Sequence, residues 1–276
     1  MFAKLLKHEF FSVRKILTGL CIAAIIAGLL GGLIMWNMTQ QLNGAELDTE
    51  KTAMLTIISM LVFMGIYISL FAFLISSFII LYLRFYRSKF TDEGYLTFTL
   101  PSTTHQVLLS SILNQLIWGT IIYIVFLISA ALMFLPMFLL IGQEANLALL
   151  FQELGEIYSL MGFNANTLAA QIFTWISGIA YGLILPIASI TIGSLVAKKH
   201  KILASIGIGY GINMALSFLT GILTVTTTFS DIIFANGNPV SLFNEIMLIP
   251  SLIQLVIAIA GYFVTHFLIE KHLNLP

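Results

Sequence analysis

Charge is what this sequence has least of. Asp, Glu, Lys and Arg make up 9% of its 276 residues, hydrophobic residues make up 59%, and the mean hydropathy is +1.02. A soluble domain carries about 25% charged and about 45–50% apolar residues, so this composition belongs to an integral membrane protein. The few charges balance, with 12 basic residues against 12 acidic ones, which argues against the basic face that nucleic acid requires. Cysteine is scarcer still. Cys21 stands alone inside the first apolar run, so no disulfide can form within the chain, and the residue reads as a small apolar filler.

Motifs that carry chemistry are missing as well. HExxH, GxSxG and GxxxxGK[ST] do not occur, and with them go the signatures of a zinc hydrolase, a nucleophile elbow and a phosphate loop. Gly207-Ile-Gly-Tyr-Gly211 lacks the lysine and the preceding strand of a phosphate loop. No Asp, Glu, Lys or Arg falls inside the long apolar runs. A charge at membrane depth costs at least about 2.5–3.5 kcal/mol and marks an ion or proton path, so its absence disfavours an ion-coupled transporter or pump. His266 falls within the last span, one turn from its end, and reads as an interfacial polar residue. Catalysis by the chain is not expected.

What the sequence has in abundance is apolar length. A helix needs about 20 apolar residues to cross the hydrocarbon core, where every backbone polar group must be bonded internally. Six such runs are present, predicting an all-α polytopic protein with spans near 16–36, 54–83, 107–134, 169–197, 202–228 and 246–269. Pro136 is expected just past the end of the third span. No small-residue cleavage site follows the basic flank of the first run, so it is expected to be a retained span. Two segments join spans on one side. The first, 142–168, includes a helical pattern from Leu147 to Met161, and the second, 229–245, includes the turn-forming stretch Ala235 to Pro239.

Charge placement predicts orientation, because Lys and Arg stay preferentially on the cytoplasmic side. With the N-terminus inside, Lys4, Lys7, Arg14, Lys15, Arg84, Arg87, Lys89, Lys198, Lys199, Lys201 and Lys271 are all cytoplasmic, leaving Lys51 outside. Both termini are then cytoplasmic, and the segments 142–168 and 229–245 are external. Residues 1–15 gather Phe2, Ala3, Leu5, Leu6, Phe10 and Val13 on one side of a helical wheel, with Lys4, Lys7, His8, Arg14 and Lys15 opposite. That pattern predicts an interfacial amphipathic helix along the inner leaflet. Phe11 and Glu9 break it, Glu9 falling within the apolar arc.

Uncharged polar residues form a weaker pattern. Ser205, Gly209, Asn213, Ser217, Thr220 and Thr224 recur every three or four residues along the fifth span, so one face is small and polar from end to end. That face is expected to meet another helix or a cavity. Asn114 and Gln115 in the third span and Gln254 in the sixth are further candidates to line a pathway or a helix interface. Gly28/Gly32, Gly178/Gly182 and Gly207/Gly211 each make GxxxG, a spacing that permits close helix approach.

Between spans two and three runs FTDEGYLTFTLPSTTHQ, Phe90 to Gln106, polar and rich in turn formers. Thr91 is placed to act as an N-cap, and Asp92 and Glu93 to favour the positive end of a helix dipole, so a short cytoplasmic helix is expected within 90–100. Pro101 stops it, and Thr103 with Gln106 has the spacing of a capping box that restarts helix. Helix, proline break and capped helix make a rigid elbow, and Tyr95, Leu96 and Phe98 give it an apolar face that needs a cover.

The stretch RFYRSKFTDEGYLTFTLPSTTHQVLLSSIL, Arg84 to Leu113, resembles the same region of type 2 ATP-binding-cassette exporter permeases, especially the small ones of Gram-positive bacteria. The opening MFAKLLKHEF is similar to the amphipathic start of that group. The resemblance implies a multi-pass subunit of the bacterial cell membrane, paired with a second permease chain as a homo- or heterodimer. It implies no cofactor in this chain, with ATP and magnesium held by a separate cytoplasmic ATPase subunit. In that family the helix after span two is the coupling helix, which rests in a groove of the ATPase. The role would fall here on Asp92, Glu93, Gly94, Tyr95 and Leu96, with Pro101 stiffening the lever. Lys198 to Lys201 could add a second contact, although topology alone accounts for that basic patch. The cargo implied by uncharged, aromatic-rich spans is amphipathic or hydrophobic: a peptide, bacteriocin, lipid or drug. Two other readings stay open, a membrane scaffold or sensor that recruits a cytoplasmic partner, and a facilitator without an energy source.

Overall fold

A computed structural model describes residues 2–43, 49–91, 93–94, 103–144, 152, 155–156, 165–197, 199–233 and 239–272. Six long helices follow in order among them: α1 Phe2–Asn43, α2 Thr49–Phe90, α3 Thr104–Glu144, α4 Ala165–Val196, α5 Lys201–Ile233 and α6 Pro239–His272. All six are long and apolar enough to cross a membrane, and each contains one of the apolar runs. The protein is a multi-pass membrane protein. Its exposed surface is accordingly greasy, with Leu203, Tyr210, Ile222 and Val225 all more than 60% exposed on α5, the inverse of a soluble fold.

The helices outrun the apolar stretches. At about 1.5 Å per residue, the 42 residues of α1 reach about 63 Å, twice the roughly 30 Å hydrocarbon core. Two boundaries differ from expectation for identifiable reasons. Residues 2–15 are helical, but they continue into the first span as one helix, with no break separating a helix laid along the leaflet. No Gly or Pro lies between residues 10 and 18 to interrupt the ladder, so helix propagates, and the Thr18 hydroxyl donates back to the Arg14 carbonyl at 2.7 Å. Pro136 is inside α3 rather than beyond its end. Proline removes one donor and leaves the carbonyl four residues back without its helix partner, a loss that membrane helices absorb through their neighbours. Pro186 in α4 and Pro250 in α6 are also internal. The expected helix from Leu147 to Met161 falls largely outside the described residues, as does most of Ala235 to Pro239.

The chain divides into two compact units. One comprises Ala3–Arg84 and Leu113–Phe151. Its core joins Val13, Leu17, Cys21 and Ala24 of α1 with Leu70, Phe73 and Leu81 of α2 and Trp118, Ile122 and Met133 of α3. Phe10 stacks on Trp118 with ring centroids 4.8 Å apart. Of the three GxxxG pairs, Gly28/Gly32 makes a close approach. A Cβ at Gly28 would stand 2.5 Å from the Ser129 carbonyl oxygen, and one at Gly32 would stand 2.6 Å from that of Leu132. Residues as small as glycine are required there.

The other unit comprises Met1–Phe2, Phe85–Ile112 and Gln152–Pro276, and so holds α4, α5, α6 and both flanks of the elbow. Helices α4 and α5 approach most closely at Gly193, where a Cβ would stand 2.5 Å from the Ser205 backbone nitrogen. One turn further, Gly209 lies against Ser189. On α6, Gly261 lies against Ile184 and Ala188 of α4. Gly207 and Gly211 face open space.

Candidate functional site

The elbow is built from its two flanks inward. At the end of α2, Phe85, Ser88 and Lys89 are buried, and the Phe90 ring meets Phe85 edge-on at 6.1 Å while stacking on Tyr86 at 6.2 Å. The Thr91 hydroxyl donates to the Arg87 carbonyl at 2.5 Å, and the Gly94 N–H donates to the Thr91 carbonyl at 2.7 Å. This corrects the expected N-cap: the Thr91 hydroxyl is directed back to the end of α2, where an orphan carbonyl competes for it. Glu93 and Gly94 are helical. Gly94 folds so tightly over the end of α2 that a Cβ there would stand 2.5 Å from the Lys89 carbonyl oxygen, a position no other residue fills without moving backbone. Asp92, Tyr95, Leu96, Phe98 and Pro101 lie outside the described residues.

The other flank opens α3 as its sequence predicts. The Gln106 N–H reaches the Thr103 hydroxyl at 3.4 Å and the Thr103 carbonyl at 2.9 Å, and Val107 N–H reaches that carbonyl at 3.2 Å. Thr103 therefore caps the helix. Both flanks then enter one buried apolar cluster, in which Phe85 of α2 and Leu108 of α3 join Ile187 of α4 and Ile269 of α6. Phe90, Ile112, Ile190 and Tyr262 pack around it. The base of the elbow is thus tied into the same core as α4 and α6.

A polar cluster that sequence reasoning missed reinforces this tie. His105, in the first turn of α3, stacks on His266 of α6 with centroids 3.6 Å apart and planes at 20°. Its Nδ1 lies 3.0 Å from the Tyr262 hydroxyl, and His266 Nδ1 lies 3.5 Å from Glu270. Tyr262, His266 and Glu270 are spaced by four and share one face of α6, a signal the sequence contains. Nothing in it points to His105, which lies 157 residues from Tyr262.

The candidate lining residues part company. Asn114 and Gln115 are buried in α3, with the Asn114 Oδ1 and both polar atoms of Gln115 lacking a hydrogen-bond partner among the described residues. Gln254 is half-buried on α6 and lies near Gly178, where a Cβ would stand 3.9 Å from its Oε1. On α5, Ser205 and Gly209 are packed on α4, and Asn213 accepts a hydrogen bond from Tyr181 at 3.1 Å. Farther along, Ser217, Thr220 and Thr224 donate to carbonyls of their own helix at 2.7–2.9 Å. The polar stripe is therefore a helix interface over one half and self-satisfied over the other. Among the described residues no group of three or more His, Cys, Asp or Glu could hold a metal ion.

Comparison with known proteins finds no matching family model, no matching curated protein and no matching solved structure. The functional reading rests on the residues themselves.

Proposed function

We propose that this chain is the permease subunit of an ATP-binding-cassette exporter, moving an amphipathic or hydrophobic cargo outward with ATP hydrolysed by a separate cytoplasmic subunit. One observation carries the reading: the flanks of the elbow, through Phe85 and Leu108, share a buried core with Ile187 of α4 and Ile269 of α6. An elbow anchored this way is a lever, because close-packed interiors transmit displacement rather than absorb it. Force applied to residues 92–101 by a partner would reach two spans at once.

In this reading both termini and the elbow are cytoplasmic, and the membrane is a bacterial cell membrane. The ATPase meets Asp92, Glu93 and Gly94 by charge and close backbone approach, and Tyr95 and Leu96 by apolar burial. ATP and magnesium belong to that partner, while this chain supplies no catalytic group and pairs with a second permease chain. Buried, uncharged polar atoms at Asn114 and Gln115 suit a path for amphipathic cargo, which needs a few hydrogen-bonding groups and no fixed charge.

The test is co-purification followed by turnover. Mild detergent extraction is expected to recover an ATPase bearing GxxxxGK[ST] with the chain, and its hydrolysis in liposomes should rise with cargo. An ATPase that copurifies but ignores every amphipathic compound supports a scaffold instead, and extraction of the chain alone defeats the proposal.

A further inference from the structure

We propose that His105 and His266 form a proton-operated latch between the start of α3 and the last turns of α6, closed while the pair carries at most one proton and opened when both rings are charged. Residues 85–112 and all of α6 belong to one compact unit. Within it the two rings stack with centroids 3.6 Å apart and planes at 20°. His105 is exposed, and His266 keeps 17% of its side-chain surface, so protons reach both rings from water. An imidazole changes charge between about pH 5 and 8.

The surroundings provide for one charge and not for two. His266 Nδ1 lies 3.5 Å from the Glu270 carboxylate, which pairs with a proton held there, and an imidazolium stacks well on a neutral ring. His105 Nδ1 lies 3.0 Å from the Tyr262 hydroxyl, a neutral group that accepts from a protonated ring but brings no negative charge. A second proton therefore sets two cations face to face. Unit charges about 4 Å apart repel enough to shift an equilibrium about fivefold even in bulk water. The closed latch then holds at most one proton and the open latch two, so acid favours opening.

The helices packed around the pair supply no second counter-charge to it. Helix α4 carries no Asp, Glu, Lys, Arg or His, and α3 carries no charged residue from Gln106 to Gln143. Arg87 and the buried Lys89 on α2, Lys199 and Lys201 at the start of α5, and Lys271 on α6 are all cations. The Lys271 ammonium lies over the Phe267 ring, 4.7 Å from its centroid. Tyr86 stacks on Phe90. Glu93 is a carboxylate beyond the end of α2, but the groups in contact with His105 are Tyr262 and His266. The latch adjoins the Thr103 cap and precedes the buried Leu108 by three residues, so opening frees the first turn of α3, one flank of the elbow, from α6. This device belongs to the fold and does not depend on the exporter reading.

Hydrogen exchange of the full chain in lipid nanodiscs at about pH 8 and about pH 5, corrected for the intrinsic rate at each pH, tests this. Peptides covering residues 104–112 and 262–272 are expected to lose protection by about fivefold at the lower pH, whereas residues 17–24 in the core of α1 should not change. His105→Phe keeps a stacking ring that takes no proton, and should hold its protection in acid. His266→Phe blocks the other ring and should behave alike, which keeps the test open if either variant folds poorly. Equal protection of the native chain at both pH values, an equal acid loss in the phenylalanine variants, or an equal loss at residues 17–24 would each overturn the proposal.

Discussion

Gly32 of α1 lies against the Leu132 carbonyl of α3, so close that a Cβ would stand 2.6 Å from that oxygen. Leu132 is four residues before Pro136, and its carbonyl is therefore the one that proline deprives of its helical donor. The glycine brings its Cα–H to an acceptor in need of company, a weak contact that recurs where helices cross closely. Gly28, one turn away, faces the Ser129 carbonyl in the same manner.

Substitutions at these glycines should separate packing from helix propensity. Alanine in a helix gains about 0.5–1 kcal/mol over glycine where space permits, which Gly207→Ala and Gly211→Ala should show as a modest rise in thermal stability. Gly28→Ala and Gly32→Ala meet backbone rather than flexible side chains, and overpacking should cost about 1–3 kcal/mol. Thermal unfolding of the detergent-solubilised protein measures both. Equal responses at the four positions would contradict the assigned crossing.

The stacked pair His105 and His266 should hold the start of α3 to α6. His266→Ala removes the ring contact of 3.6 Å and leaves the Tyr262 bond to His105 alone, and should lower stability by at least the roughly 0.5–1.5 kcal/mol of an aromatic pair. His266→Phe keeps the ring and should recover most of it. Comparison of their unfolding midpoints decides, and indistinguishable midpoints would show that the stack contributes nothing.

Gln115 is predicted to be retained for passage rather than stability. Its polar atoms are buried without a partner among the described residues, so replacing them with apolar groups of similar size should be neutral or stabilising. Gln115→Leu should therefore preserve or raise the unfolding temperature while reducing cargo-stimulated ATP hydrolysis in the reconstituted complex. A destabilised Gln115→Leu with unaltered stimulation would make the residue structural.

Reading the sequence reached the six helices because a fixed hydrocarbon thickness demands about 20 apolar residues in a row, and that demand is written in composition. It could not reach the helix ends. Charged residues such as Arg87 and Lys89 are compatible with helix outside a membrane, so α2 continues to Phe90 beyond its apolar run, and the helix at residues 2–15 merges into α1 for want of a breaker. Local capping was half legible: Thr103 caps as its spacing with Gln106 predicts, whereas the Thr91 hydroxyl turns back to Arg87, because a helix end on either side offers it a partner. The contacts that tie the elbow to α4 and α6, Phe85 and Leu108 with Ile187 and Ile269, join residues far apart in sequence. No period or motif records them.

Site-directed cross-linking at Glu93 tests the central claim most directly. Cys21 is the single native cysteine, so Cys21→Ser gives a background in which Glu93→Cys is the sole thiol, with Lys51→Cys as a control on the opposite side of the membrane in the proposed orientation. A short thiol-to-amine cross-linker applied to membranes of the native host should join Glu93→Cys to a protein bearing GxxxxGK[ST], in a yield that changes when nucleotide is added, and should leave Lys51→Cys unjoined to it. Glu93→Cys that cross-links to no ATPase, or Lys51→Cys that cross-links to it equally, would contradict the account.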